Sequence, residues 1–406
     1  MSAGGETVGV EQIRDAAALL EPVVRRTPML ASRALSDRAG VPVSFKCENL
    51  QRTGSFKPRG AYNRIARLDA DERPRGVVAA SAGNHAQGVA WAATQLGITS
   101  TVFMPIGAAL PKLAATRAYG ATVHLVGHTI DESLSAAEQF AVDTGAVFIH
   151  PYDHVDIVAG QGTVGLEIVE QLPDVKTVLV PTGGGGLLGG VAAALAAVRP
   201  GVRIIGVQAE GAAAWPRSLD AGRPERLSTM STLADGIAVG LPGTVPFPLV
   251  HRLVDRVVTV SDDALARALV LCMERSKLIV EPAGAAGIAA LMSSDLALDG
   301  PVAVVLSGGN IDPLVLTHVI GHGLRVAGRY LSVRVAIPDR PGALGALLGV
   351  VGDVDASVVD VVHSRTTGKL ALDEVQVALT LETRGPQHRR DVLEALAAAG
   401  YVVRIE

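Results

Sequence analysis

From residue 43 to residue 306 the chain repeats one rhythm: a short, almost uncharged apolar run of strand length, a helix-length stretch, then another apolar run. The runs at 43–46, 76–80, 101–104, 121–125, 147–149, 177–180, 202–208, 257–260 and 302–306 read as strands. Residues 86–96 and 113–119 read as helices between them. A first amphipathic helix is expected near the N-terminus, where Val10, Ile13, Ala17 and Leu20 fall on one face. Runs that are apolar throughout, rather than alternating, suit strands covered on both faces. The chain is thereby confined to an α/β architecture of open, mostly parallel sheets flanked by helices.

After Arg329 the rhythm changes. A strand at 331–337, a turn at Asp339-Arg340-Pro341-Gly342, a helix at 343–351 and a strand at 357–364 come first. A strand at 370–382, a helix at 387–399 and a strand at 401–405 follow. This is the βαββαβ order of a ferredoxin-like domain. A boundary at 326–330 divides the chain into domains of residues 1–328 and 329–406, which 406 residues comfortably allow.

Composition removes several classes of function. Aromatic residues make up only 3%, which leaves few stacking platforms for bases, and the net charge of −4 comes with no basic block. A nucleic-acid partner is not expected. Cys47 and Cys272 are too few for a disulfide framework and lack zinc-site spacing, which suits a reducing cytoplasm. Residues 1–6 have neither the basic nor the apolar part of a signal peptide. Residues 177–198 carry no charge but contain Pro181 and six glycines, so they read as a strand, a glycine loop and a small-residue helix rather than a membrane span.

Four loops carry candidate chemistry. Ser55-Phe56-Lys57-Pro58-Arg59-Gly60-Ala61 presents an amine. The loop Gly183, Gly184, Gly185 and Gly186 lies between a strand and a helix, where backbone N–H groups and the helix start favour a phosphate; a tight turn is the plain alternative. Gly184, Gly186 and Gly189 also fit a dinucleotide fingerprint, with Glu210 near the place of a ribose-binding acid, so a nicotinamide-dependent oxidoreductase is the main rival reading. In Ser81-Ala82-Gly83-Asn84-His85, Asn84 is either the N-cap of the following helix or an amide facing a phenolic oxygen, and Ser81 with the loop N–H groups could hold a carboxylate. Ser307, in Ser307-Gly308-Gly309-Asn310, is either a turn residue or a neutral hydroxyl facing a ring nitrogen.

Together with Gly160-Gln161-Gly162-Thr163 and Glu281-Pro282-Ala283-Gly284-Ala285, these loops make residues 10–325 resemble the fold-type II pyridoxal-phosphate enzymes, and among them the threonine/serine dehydratases. The tail, through Asp339-Arg340-Pro341-Gly342-Ala343-Leu344, resembles an ACT regulatory domain.

The resemblance implies two catalytic lobes, the smaller near residues 50–155, with pyridoxal 5'-phosphate between them. It implies that Lys57 carries the cofactor, that Phe56 packs beside it, and that Asn84 meets the ring hydroxyl. Gly183, Gly184, Gly185, Gly186 and Leu187 would bind the phosphate, and Ser307 would meet the pyridine nitrogen. Substrate would lie against Ser81, Ala82, Gly83 and His85. Related racemases carry a serine where Ala82 stands, which favours dehydration here. Some relatives hold a cation with an acid after the strand and another six residues on; here these positions are Glu210 and Pro216, so no metal is expected. Isoleucine or valine is the effector the tail would take, with a plain βα turn and no control as the alternative, and a homodimer or homotetramer is the expected assembly. A silent amino-acid-binding regulator, in which Lys57 is dispensable, is the remaining rival.

Overall fold

The structure is a computed structural model that describes residues 8–293, 296–365, 371 and 373–405. The leader-free reading of residues 1–6, and Leu370 at the start of an expected strand, lie outside the described residues. The chain forms two compact units, Met1–Val315 and Leu316–Glu406, and the division falls inside the helix Pro313–Val326.

Among the described residues of the first unit the strands are β1 (Met29–Ala31), β2 (Val43–Lys46), β3 (Val77–Ala80), β4 (Ser100–Met104), β5 (Thr122–Leu125), β6 (Val147–Phe148), β7 (Thr177–Pro181), β8 (Arg203–Ala209), β9 (Arg256–Val260) and β10 (Val302–Val305). They form a six-stranded sheet of order β1-β2-β10-β7-β8-β9 and a four-stranded sheet of order β5-β4-β3-β6. Every neighbouring pair is parallel except β1 with β2. β7 and β10 occupy the middle of the larger sheet and are buried along their whole length, which is why their sequences are apolar without alternation. β1 has no counterpart in the sequence reading. It is three residues long, partly exposed, and held by its pairing with β2 rather than by its own pattern.

The small-residue stretch after the glycine loop is the helix Gly186–Val198, packed on the helix Val155–Gln171. At their crossing a Cβ on Gly190 would stand 2.3 Å from the Val158 carbonyl oxygen and 2.7 Å from the Gly162 nitrogen. The lack of side chains there is a condition of backbone-to-backbone packing. No helix among the described residues is long and apolar enough to cross a membrane.

In the second unit, β11 (Tyr330–Pro338), β12 (Ser357–Ser364), β13 (Glu374–Glu382) and β14 (Val403–Ile405) form an antiparallel sheet of order β12-β13-β11-β14. Leu331, Val333, Val335 and Ile337 of β11 alternate with more exposed residues. With Val375, Val377, Leu379 and Leu381 of β13 they meet Leu347 and Val351 of helix Ala343–Asp353 and Val392 and Leu396 of helix Pro386–Ala398. The element order is βαββαβ, the ferredoxin-like unit.

Candidate active site

Lys57 is the first residue of the helix Lys57–Ala66, whose start is favoured by Pro58 in the first turn. Its Nζ donates to the Pro151 carbonyl at 2.9 Å and lies 5.1 Å from the centre of the Phe56 ring. Burial lowers the pKa of this amine to about 8, against the opposing pull of the Glu281 carboxylate.

The neighbouring Arg59 faces the interior and anchors the helix. Its Nε donates to Glu48 Oε2 at 2.8 Å and Nη2 to Glu48 Oε1 at 2.9 Å. Nη1 donates to Glu167 Oε1 at 2.6 Å and to Thr163 Oγ1 at 3.1 Å. Thr27 donates to Glu48, and the buried Lys46 reaches Glu167, Gln171 and the Thr27 carbonyl. Burial alone would push the Glu48 carboxyl up, but the Arg59 guanidinium holds it below the ordinary range. Two cations and two carboxylates thus balance in the core behind Lys57. Nothing local in the sequence marks this cluster, because its members lie on separate segments.

The end of β10 is stapled to the Lys57 loop. Phe56 N–H donates to the Ser307 carbonyl at 3.1 Å, Ser55 and Gly308 form an antiparallel bridge, and Gly309 N–H donates to the Gly54 carbonyl. Ser307 is 3% exposed. Asn84 begins the helix Asn84–Gln95, whose N-cap is Gly83, so the capping alternative for Asn84 does not hold. Its Nδ2 donates instead to Glu281 Oε1 at 2.6 Å, and its Oδ1 accepts from Asn310 Nδ2 at 2.8 Å. Burial and the Asp235 carboxylate raise the Glu281 pKa to about 7, with Lys112, Asn84 and Lys57 pulling the other way. Glu281 stands in the sequence only as part of a motif, and its place beside Asn84 is a finding of the structure.

The glycine loop has the form that an anion cradle would need. Its carbonyls are tied back: Gly183 accepts from Trp215 Nε1 at 2.8 Å, Gly184 from Gly243 N–H at 2.9 Å and Gly185 from Gly189 N–H at 2.7 Å. The N–H groups of Gly183, Gly184, Gly185, Gly186 and Leu187 have no hydrogen-bond partner among the described residues. Side chains are excluded from the loop. A Cβ on Gly184 would stand 2.4 Å from the Tyr152 ring, and Gly185, at φ +100°, would press one 2.3 Å from Trp215 Cζ2. Residues 151 and 152 therefore connect the cradle to Lys57, since Pro151 accepts from its amine and Tyr152 lies on Gly184 and Gly186.

Of the expected substrate loop, Ser81 Oγ accepts from Gly83 N–H at 3.1 Å, and Ala82 is half-buried. The His85 ring is buried with Nε2 on the Ile149 carbonyl at 2.7 Å; burial and the nearby Lys57 push its pKa down to about 3, so it is neutral. Glu210 is exposed at the end of β8, and among the described residues no group of three or more His, Cys, Asp or Glu is placed to hold a metal ion.

Residues 20–308 match the family described as pyridoxal-phosphate dependent enzyme. The chain belongs to this family.

Among its relatives, this pyridoxal-phosphate enzyme is 46% identical to an L-threonine ammonia-lyase of Thermotoga maritima, over 98% of this chain and 99% of the relative. It is 45% identical to an L-threonine ammonia-lyase of Geobacter sulfurreducens, over 97% and 98% of the two chains. Maize serine racemase superposes with a TM-score of 0.74 at 36% identity, covering 79% of this chain and 99% of that one. The processed form of threonine deaminase isoform 2 from Solanum lycopersicum gives 0.74 at 36%, covering 80% and 91%. The rival built on the dinucleotide fingerprint gives way to this family, whose cofactor brings a phosphate. The enzyme's residues fit that cofactor, with five N–H groups that have no partner among the described residues to meet the phosphate and a lysine amine linked to them through residues 151 and 152.

Proposed function

We propose that the enzyme converts L-threonine to 2-oxobutanoate and ammonia, and L-serine to pyruvate and ammonia. The observation that carries the reading is the likeness, over nearly the whole of both chains, to two L-threonine ammonia-lyases. In this reading the N–H groups of Gly183, Gly184, Gly185, Gly186 and Leu187 hold the cofactor phosphate, and Phe56 packs beside the ring. The Asn84 amide meets the ring hydroxyl and the Ser307 hydroxyl the ring nitrogen. When bound, the cofactor supplies the electron sink that makes the Cα proton removable. Lys57, whose pKa near 8 leaves a useful fraction of neutral amine, takes that proton. A neutral serine at the ring nitrogen stabilises positive charge there less than a carboxylate would, which favours prompt loss of the β-hydroxyl. Ser81, Ala82 and Gly83 form the wall for the substrate, with His85 holding that wall to Ile149. Ala82 offers no hydroxyl for a second proton transfer, so racemisation is not supported.

Lys57→Ala removes turnover and the absorbance band of the lysine-bound cofactor; a variant with full activity would refute the assignment. Appreciable D-threonine or D-serine from the wild-type enzyme would count against dehydration as its main reaction.

In the same reading residues 1–328 are the catalytic domain and residues 329–406 an ACT-type regulatory domain, in a homodimer or homotetramer in the cytoplasm. The turn from Asp339 to Leu344 opens the helix Ala343–Asp353, and the Asp339 carboxylate is fixed by Arg365 at 3.1 Å. Isoleucine or valine is the effector this turn would take, and calorimetry with each amino acid decides it: no heat from either removes the regulatory claim.

A further inference from the structure

Lys112 lies in the first turn of the helix Leu110–Ala118, far in sequence from every motif described above. Its side chain is only 13% exposed, and its Nζ lies 2.5 Å from Asp235 Oδ2. The same Nζ is 3.8 Å from where a Cβ on Gly83 would stand, so the cation overlooks the Ser81–Gly83 wall. Asp235 begins the short turn Asp235–Ile237. A Cβ on the next residue, Gly236, would meet Glu281 Oε1 at 3.3 Å, and Ile237 packs on Gly183. The pair therefore bridges the wall where substrate is expected and the loop over the cradle and Glu281.

The two partners are unequal. The Lys112 side chain is largely enclosed, whereas the Asp235 side chain is 63% exposed. An exposed carboxylate returns to water at small cost, so another carboxylate can replace it on the more enclosed cation. Every amino-acid substrate brings such a group to this wall.

Resting on the proposed function, we propose that Lys112 binds the substrate's α-carboxylate and that Asp235 keeps its place until the substrate arrives. The incoming carboxylate displaces Asp235 from the ammonium; no bond is made or broken in this exchange. A static latch between the same two residues makes a different prediction, because breaking it from either side has the same consequence. Exchange gives the two halves of one ion pair opposite signs.

The test uses the cofactor-loaded enzyme. KM and kcat for L-threonine are measured in Lys112→Met and Asp235→Asn, together with the dissociation constant of L-alanine, which has the carboxylate but no β-leaving group, from the change in cofactor absorbance. Losing a charge-assisted contact raises KM and the alanine constant about tenfold or more in Lys112→Met, and the loss falls mainly on KM. Lys112→Arg recovers part of it. Asp235→Asn lowers both constants, because the competitor is gone. A rise of KM in both variants overturns the proposal in favour of a latch, and an unchanged KM in Lys112→Met overturns it outright. Asp235 is exposed, so its variant tests the sign even if Lys112→Met folds poorly. The absorbance band of the lysine-bound cofactor in the wild type reports separately on the assignment of Lys57.

Discussion

The lowered pKa of Lys57 has a direct chemical consequence. Only the neutral amine can attack the aldehyde of pyridoxal phosphate. With a pKa of about 8 rather than the ordinary 10.5, the neutral fraction at pH 7 is about 9% instead of about 0.03%, a gain of about 300-fold. The cause is burial, and the nearby Glu281 carboxylate works against it. Removing cofactor from the enzyme and following its uptake by absorbance, across a pH series, measures this. A free lysine derivative treated with the same aldehyde divides out the aldehyde's own titration. The uptake rate rises tenfold per pH unit below the pKa and levels off near pH 8, while the free derivative continues to climb past pH 10. Glu281→Gln moves the plateau to lower pH, since the lost negative charge no longer favours the ammonium. An enzyme rate still climbing at pH 9.5 would refute the claim that burial governs this amine.

Two further substitutions test other parts of the site. Gly185→Ala places a methyl 2.3 Å from Trp215 Cζ2 at a φ of +100°, so strain of about 1–2 kcal/mol and a shifted cradle should weaken cofactor binding about tenfold or more; an unchanged dissociation constant in equilibrium dialysis removes the cradle argument. Arg59→Met leaves Glu48 buried without its cation and should cost about 3–5 kcal/mol in urea unfolding. Adding Glu48→Gln to it should recover part, and a loss under about 1 kcal/mol would show that the cluster is not an anchor.

The interior strands were legible because both of their faces are covered, which leaves an apolar run with no polar interruption. The strands β11 and β13 of the second unit were legible for a different reason: one face meets the helices, which leaves an alternating pattern. β1 escaped notice because three residues carry no period, and its existence depends on β2. Asn84 showed the limit at a single residue: an asparagine at a helix start reads equally as a cap or as an amide facing a ligand until Glu281, 197 positions away, is found 2.6 Å from its amide.

Local order along the chain therefore determined the α/β and βαββαβ rhythms, the lysine loop and the glycine loop, since each depends on a run of neighbouring residues. The folded arrangement alone decided which charged and polar groups meet: the ion pairs of Arg59 with Glu48 and Glu167 and of Lys112 with Asp235, and the hydrogen bond from the Asn84 amide to Glu281. Electrostatic energy depends on separation in space and on exclusion of water, and neither quantity is written in the spacing of residues along a chain.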